Sequence, residues 1–306
     1  MGSDLFKFRN TKASDEITAP IDTIGSSGKQ QSMSDATFID LRDVIYKLCG
    51  IYYTDGKKYL LEGRIAKRLV ARNMHSFEEY VEFLKSPYCR QEINQLFEAI
   101  TINETYFFRA EQQFDAFEKI IVPEILKLRS KESNPTFRVW SSASSTGEEP
   151  YTLAILIRER LKPQFPNVNF QILGSDINNT VLETARLGIY KDYSIRNVPQ
   201  QYLMKYFKKQ GNTYHISQEI KSMVRFMNIN LFDPIQMRSI TGCDVIFCCN
   251  VLIYFDIPSK QQVVSYIYDS LNKGGYLMIG YSESLHGISK AFKLVHLPKA
   301  MAYKKD

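Results

Sequence analysis

"FRVWSSASSTGEEPYT", residues Phe137 to Thr152, carries the pattern of a strand, a small-residue turn and a helix. Phe137 to Ser141 is a short, mostly apolar run that predicts a strand, and a helix is predicted from about Glu149 to Leu161. The turn between them is built of Ser, Ala, Thr and Gly, with no bulky residue before the glutamates. Such a turn lets backbone approach a nucleotide-type ligand closely. It is not G-x-G-x-x-G, so a pyrophosphate cradle is not supported. Glu148 and Glu149 open the helix, where a carboxylate can meet a ligand's ammonium group. The same acids also fit a capping box, Ser145 with Glu148 or Thr146 with Glu149.

Working outward, the pattern of strand and helix repeats. Strands are predicted at Phe170 to Asp176, within Cys243 to Phe255, and at Tyr276 to Gly280, with helices at Thr180 to Leu187 and Pro258 to Leu271. "FKLVHL" and "AMAYKK" close the chain as a hairpin. Near-continuous apolar strands alternating with helices indicate a mostly parallel, doubly wound sheet covered on both faces. Between 191 and 226 the rhythm breaks, and "NTYHIS" and "VRFMNINL" predict a small β-rich insertion. Upstream, residues 35–100 have helical spacing and form a small all-helical domain, and 101–130 join it to the α/β domain at 131–306. Residues 1–34 are polar and lack periodicity, which predicts a flexible tail.

Composition narrows the class. A formal charge of +6 over 306 residues is a mild excess that demands no nucleic acid and is compatible with docking to an acidic protein surface. The five cysteines are odd in number and lack CxxC spacing, which indicates reduced thiols and a cytoplasmic protein. The four histidines form no local metal motif, so no metal is expected. No apolar stretch reaches the length of a membrane span, so no membrane insertion is expected.

Several polar residues stand where the strands end. Asp176 can accept from ribose hydroxyls or act as a helix N-cap. Asn230, in "NINLFD", can address an adenine edge or be an ordinary turn residue. Asn250 and Tyr254 interrupt an apolar segment, and Asp256 before Pro258 is a helix start. Asn103, Thr105, Tyr106 and Arg109, in the joining segment, could close over a pocket or sit on a plain linker. Arg64, Lys67, Arg68 and Arg72 share one side of a predicted helix, with Glu62 opposing them. That stripe is either a solvated face or a dock for an acidic helix.

Taken in order, "TINETYFFR" (Thr101 to Arg109), "STGEEPY", "SDI" (Ser175 to Ile177), "GIY" (Gly188 to Tyr190), "NVLIYFD" (Asn250 to Asp256) and "GYSES" (Gly280 to Ser284) resemble the chemotaxis receptor methyltransferase family, CheR. The resemblance runs from about Phe38 to Tyr303. It implies an N-terminal helical domain and a Rossmann-like class I methyltransferase domain with a small β-insertion. It implies S-adenosylmethionine as cofactor, with S-adenosylhomocysteine as product, and glutamate side chains on the cytoplasmic helices of methyl-accepting chemoreceptors as acceptors. By motif position it places Asn103, Thr105, Arg109, Glu148, Asp176, Ile177, Asn230, Leu231, Asn250 and Val251 around the cofactor, and Arg109 and Tyr254 nearest the reacting atoms. Cys249 stands where the family usually has Arg, and Tyr281 where His is usual. The run from Lys208 to Ile220 is short for the loop that in some members binds a peptide at the receptor's C-terminus, so no such tether is expected. Two other readings are open. One is a methyltransferase for another acceptor, which requires a basic aromatic groove or a deep apolar pocket. The other is a regulatory module that binds S-adenosylmethionine without catalysis.

Overall fold

Four helices, α1 (Asp35–Cys49), α2 (Lys58–Arg72), α3 (Phe77–Lys85) and α4 (Arg90–Ile100), open the computed structural model, which describes residues 32–306. The expected tail lies outside the described residues as far as position 31. Its predicted end at Ser34 is too late. Met33 is buried in the helical core, and the Ser34 side chain caps α1 by accepting from the Thr37 N–H. The helices bury Phe38, Leu41, Ile45, Leu61, Ile65 and Leu69 at three- and four-residue spacing, as an amphipathic bundle must.

The α/β part holds ten strands: β1 (Thr136–Ser141), β2 (Asn169–Asp176), β3 (Ile189–Tyr190), β4 (Phe207–Gln210), β5 (Thr213–Ile216), β6 (Val224–Asn228), β7 (Cys243–Cys248), β8 (Leu271–Ile279), β9 (Phe292–Leu297) and β10 (Ala300–Lys305). Seven form one sheet in the order β6-β2-β1-β7-β8-β10-β9, parallel through β8 and antiparallel at β10 and β9. The chain runs outward from β1 to β2 and β6, then returns to β7 on the other side of β1. The carboxyl ends of β1 and β7 therefore flank a topological switch point, where such sheets leave a crevice. Alternate residues of β1 serve opposite faces. Phe137 and Val139 join one apolar cluster, and Trp140 joins the other while its Nε1–H donates to Ser175 Oγ at 2.9 Å.

The β-insertion is narrower than the sequence suggests. Its sheet is β3-β5-β4, beginning at Ile189. Val224–Asn228 instead pairs parallel with β2 as an edge of the main sheet, because its register carries it from Ile172 to Asp176. Two helices also widen into a π turn, Val122 N–H donating to the Phe117 carbonyl and Lys162 N–H to that of Ile157. Pro123 and Pro163 follow directly. A proline ring supplies no N–H and crowds the carbonyl four residues back, and the wider turn relieves both.

The basic helix α2 is not a uniformly free face. Arg68 forks onto Glu92 through Nε at 2.8 Å and Nη2 at 2.9 Å, and Tyr80 donates its hydroxyl to the same carboxylate at 2.8 Å. Glu92 lies 24 residues away from Arg68, so spacing along α2 could not show it. Removing Arg68 takes both close guanidinium donors from the buried Glu92 and leaves only Arg72 Nε, 3.8 Å away, to offset its charge. Arg68→Ala is therefore expected to lower the unfolding free energy by about 3 kcal/mol in urea titration, and a loss under about 1 kcal/mol would contradict this account.

Candidate active site

A cavity of about 330 Å³ opens at the carboxyl edge of the sheet, at the lower end of the usual range for small-ligand sites. Five strand ends feed it. Ser142, Ala143 and Ser145 follow β1, Asp176 ends β2 with Ile177 after it, and Asn230 and Leu231 follow β6. Asn250, Val251 and Tyr254 follow β7, and Gly280 and Tyr281 follow β8. The joining segment closes one side with Asn103, Thr105 and Arg109. All the sequence-predicted cofactor and catalytic positions thus meet in one cavity, with Glu148 the exception.

Glu148 is turned away from the cavity. It is 1% exposed, does not line the cavity, and accepts from Thr146 Oγ1 at 2.6 Å. Of the two acids, the one that lines the cavity is Glu149, which accepts from Ser141 Oγ at 2.7 Å. Consecutive helical residues point about 100° apart, so only one of the two acids can face the crevice. Burial pushes Glu149 up to about 7, against the opposing pull of Ser141, Cys249 and the Arg109 charge. Neither capping box forms. The helix begins after Gly147, whose φ of 94° no other residue type adopts readily, and an added Cβ would stand 2.9 Å from that of Ala185.

Asp176 is 7% exposed. Its Oδ2 accepts from Ser145 N–H at 2.9 Å and its Oδ1 from Asn178 N–H at 3.0 Å. Each carboxylate oxygen keeps a further acceptor position, and burial raises the pKa while the backbone donors oppose. The N-cap alternative goes to Asn178, whose Oδ1 accepts from Thr180 and Val181. Asn230 is partly committed: its Nδ2 donates to the Leu48 carbonyl at 2.7 Å and its Oδ1 accepts from Phe232 N–H at 3.0 Å. One hydrogen and one lone pair remain on that amide.

Arg109 reaches the rim because the chain reverses at Phe108, which has φ +57°. A bulky residue there is strained, at a cost of order 1–3 kcal/mol. The surroundings hold it. Phe107 is fully buried and Phe108 stacks on Tyr202 at 6.0 Å, while Phe108 N–H donates to Thr152 Oγ1 at 3.1 Å. Arg109 Nη1 donates to the Glu104 carbonyl at 2.8 Å. Tyr254 is half-buried, and burial raises its phenol above the usual value while Arg64 and Arg109 oppose. Arg64 donates to the Ile100 carbonyl and to Tyr53 Oη, so it sits beside the cavity wall; Lys67 and Arg72 are exposed.

Two contributors escaped the sequence reading, Gln113 and Glu283, and Glu149 was named there only beside Glu148. Glu283, 8% exposed, accepts three backbone N–H groups, from Gly280 at 2.7 Å, Asn250 at 2.8 Å and Ile253 at 3.2 Å. It thereby fixes Asn250 at φ +61°. An acid in a small polar loop directly after an apolar strand was the available signal. Gln113 donates to the Ile279 carbonyl at 2.6 Å, and the Cys249 thiol points at its Oε1 at 3.5 Å.

The profile of the CheR methyltransferase SAM-binding domain matches residues 103–301, and that of the CheR methyltransferase all-alpha domain matches 36–101. This chain belongs to the CheR methyltransferase family. It is 34% identical to chemotaxis protein methyltransferase 2 of Vibrio cholerae, over 89% of this chain and 94% of that one. It is 34% identical to the chemotaxis protein methyltransferase of Borreliella burgdorferi, over 80% and 86%, and 32% identical to that of Escherichia coli, over 86% and 89%. For this CheR-family chain the domain match agrees with the structure, the helical bundle ending at Ile100 and the joining segment lining the cavity from Thr101 onward.

Gly280 is where the loops around Glu283 converge. A Cβ there would lie 2.7 Å from Glu283 Oε2 and 3.0 Å from Asn250 N. Gly280→Ala is expected to cost about 1–3 kcal/mol in chemical denaturation, as overpacking does. An unchanged midpoint would mean that Glu283 is not the clamp described.

Proposed function

We propose that this chain transfers a methyl group from S-adenosylmethionine to glutamate side chains on the cytoplasmic helices of methyl-accepting chemoreceptors, forming glutamate methyl esters. The observation that carries the reading is the meeting of Arg109 and Tyr254 with Asp176 and Glu149 on one cavity, in a CheR-family chain. The residues suit the cofactor. Asp176 offers acceptors for ribose hydroxyls, Asn230 and Leu231 the adenine side, and Glu149 a carboxylate for the amino acid's ammonium group. Asn103, Thr105, Asn250, Val251 and Ile177 complete the walls. When bound, S-adenosylmethionine supplies an electrophilic sulfonium methyl.

A glutamate with a pKa near ~4.3 is already ionised at neutral pH, so no general base is required. Arg109 holds the acceptor carboxylate through its planar donors, and Tyr254 orients it through a phenol that stays protonated. Alignment at roughly 3 Å and exclusion of water then contribute most of the rate. Lys67 remains exposed for acidic receptor helices, with Arg64 nearer the cavity, Arg68 engaged by Glu92 and Arg72 at 3.8 Å from the same carboxylate. The acceptors place the enzyme in the cytoplasm. Among the described residues no helix is long and apolar enough to cross a membrane. The hairpin β4–β5 turns at Gly211-Asn212, a span that supports a receptor interaction without a C-terminal peptide tether. Neither nucleic acid nor metal enters the proposal.

Receptor-containing membranes offered with methyl-labelled cofactor are expected to yield a base-labile ester. Arg109→Ala should lower kcat/KM about 100-fold, the usual effect of misplacing a reactant. Label entering RNA or small molecules and no receptor would overturn the proposal. A second expectation follows from Glu149, which is pushed up to about 7. Above that pH it is ionised and pairs with the ligand's ammonium group; below it a proton competes for the carboxylate. S-adenosylhomocysteine should therefore bind roughly tenfold more weakly at pH 6 than at pH 8 in calorimetry. Glu149→Gln should flatten the dependence at the weaker value, and a pH-independent wild type would remove Glu149 from this role.

A further inference from the structure

Outside the cavity proper, one cation is held in an unusual way. Arg196 follows the short helix Asp192–Ile195 of the β-insertion, and its guanidinium carbon stands 3.5 Å from the ring centre of Tyr106 and 3.7 Å from that of Tyr193. The two rings lie 6.4 Å apart and nearly perpendicular. Arg196 Nη1 donates to the Tyr193 carbonyl; among the described residues it makes no ion pair, and the side chain is exposed. Tyr193 donates its hydroxyl to Glu104 at 2.6 Å. Arg109 approaches the same Tyr106 ring, at 5.7 Å from its centre. Two guanidinium groups thus share one ring, 5.7 and 3.5 Å from its centre, and can be at most about 9 Å apart.

We infer that Arg196 is a specificity residue that reads a second carboxylate on the acceptor helix, one turn from the glutamate being methylated. Residues three or four apart on a helix have Cβ atoms about 5–6 Å apart, within the span of two long acidic side chains reaching two such cations. A planar cation already stacked between rings loses little freedom on gaining a carboxylate. The inference rests on the proposed helix-borne glutamate acceptor.

The test uses the full enzyme and receptor cytoplasmic fragments carrying one methylatable glutamate, with either Glu or Gln one turn away. Wild type should favour the acidic fragment about fivefold in kcat/KM, the upper range for an exposed charge pair. The preference should lie in KM. Arg196→Gln should erase it by raising KM for the acidic fragment, and Arg196→Lys should keep part of it. The inference is overturned if Arg196→Gln keeps the preference. It is also overturned if that variant loses kcat, S-adenosylhomocysteine affinity and melting temperature together, the signature of a merely structural clasp. A wild type inactive on every fragment would instead sink the acceptor reading, and the inference with it.

Discussion

One buried carboxylate organises the site. Asp176 joins the turn after β1 to the turn after β2 by accepting the N–H groups of Ser145 and Asn178. From those two residues the ties continue outward. Ser145 Oγ donates to the Asn103 carbonyl at 3.1 Å, and Asn178 Nδ2 donates to Thr101 Oγ1 at 3.0 Å. The segment that carries Arg109 is thus bonded to the same pair of turns that Asp176 sets. A charge taken this far from water needs donors, and the backbone supplies them without adding bulk to the crevice. The small residues of the β1 turn are the steric side of the same constraint.

The helical domain is a wall of the cavity as well as a candidate receptor grip. Tyr52 N–H donates to the Tyr254 carbonyl at 3.0 Å, Ile51 bridges Phe255, and Tyr46 donates its hydroxyl to Asp256 at 3.2 Å. Gly50 sits against Phe232, where a Cβ would stand 2.5 Å from the ring. Asn230 is held by the Leu48 carbonyl. The end of α1 therefore fixes residues on both the β6 and β7 loops, so contact with an acceptor on the helical domain is made within reach of the reacting groups.

Much of this was legible in the sequence because it depends on local pattern. The parallel strands, the Asp256 cap and the convergence of Asn103, Arg109, Asp176, Asn250 and Tyr254 followed from apolar runs, turn chemistry and a family resemblance. What was not legible depends on direction or on distant partners. The choice between Glu148 and Glu149 is a rotation of one helical step, set by where the helix starts, and that start depends on Gly147 and not on a capping side chain. The partner of Arg68 lies on another helix. Val224–Asn228 looked like part of the insertion because its neighbours in sequence are, whereas its hydrogen bonds go to β2. Glu283 sat in a quoted motif, yet only the fold brings Asn250 and Ile253 to its carboxylate. Arg196 carries no motif; its two tyrosines come from segments far apart in the chain.

The most direct measurement is a crystal structure of the protein with S-adenosylhomocysteine. The nucleoside is expected in the crevice at the strand ends, its ribose hydroxyls on Asp176 and its ammonium group on Glu149. A ligand bound elsewhere, or a crevice left empty at saturating concentration, would contradict it.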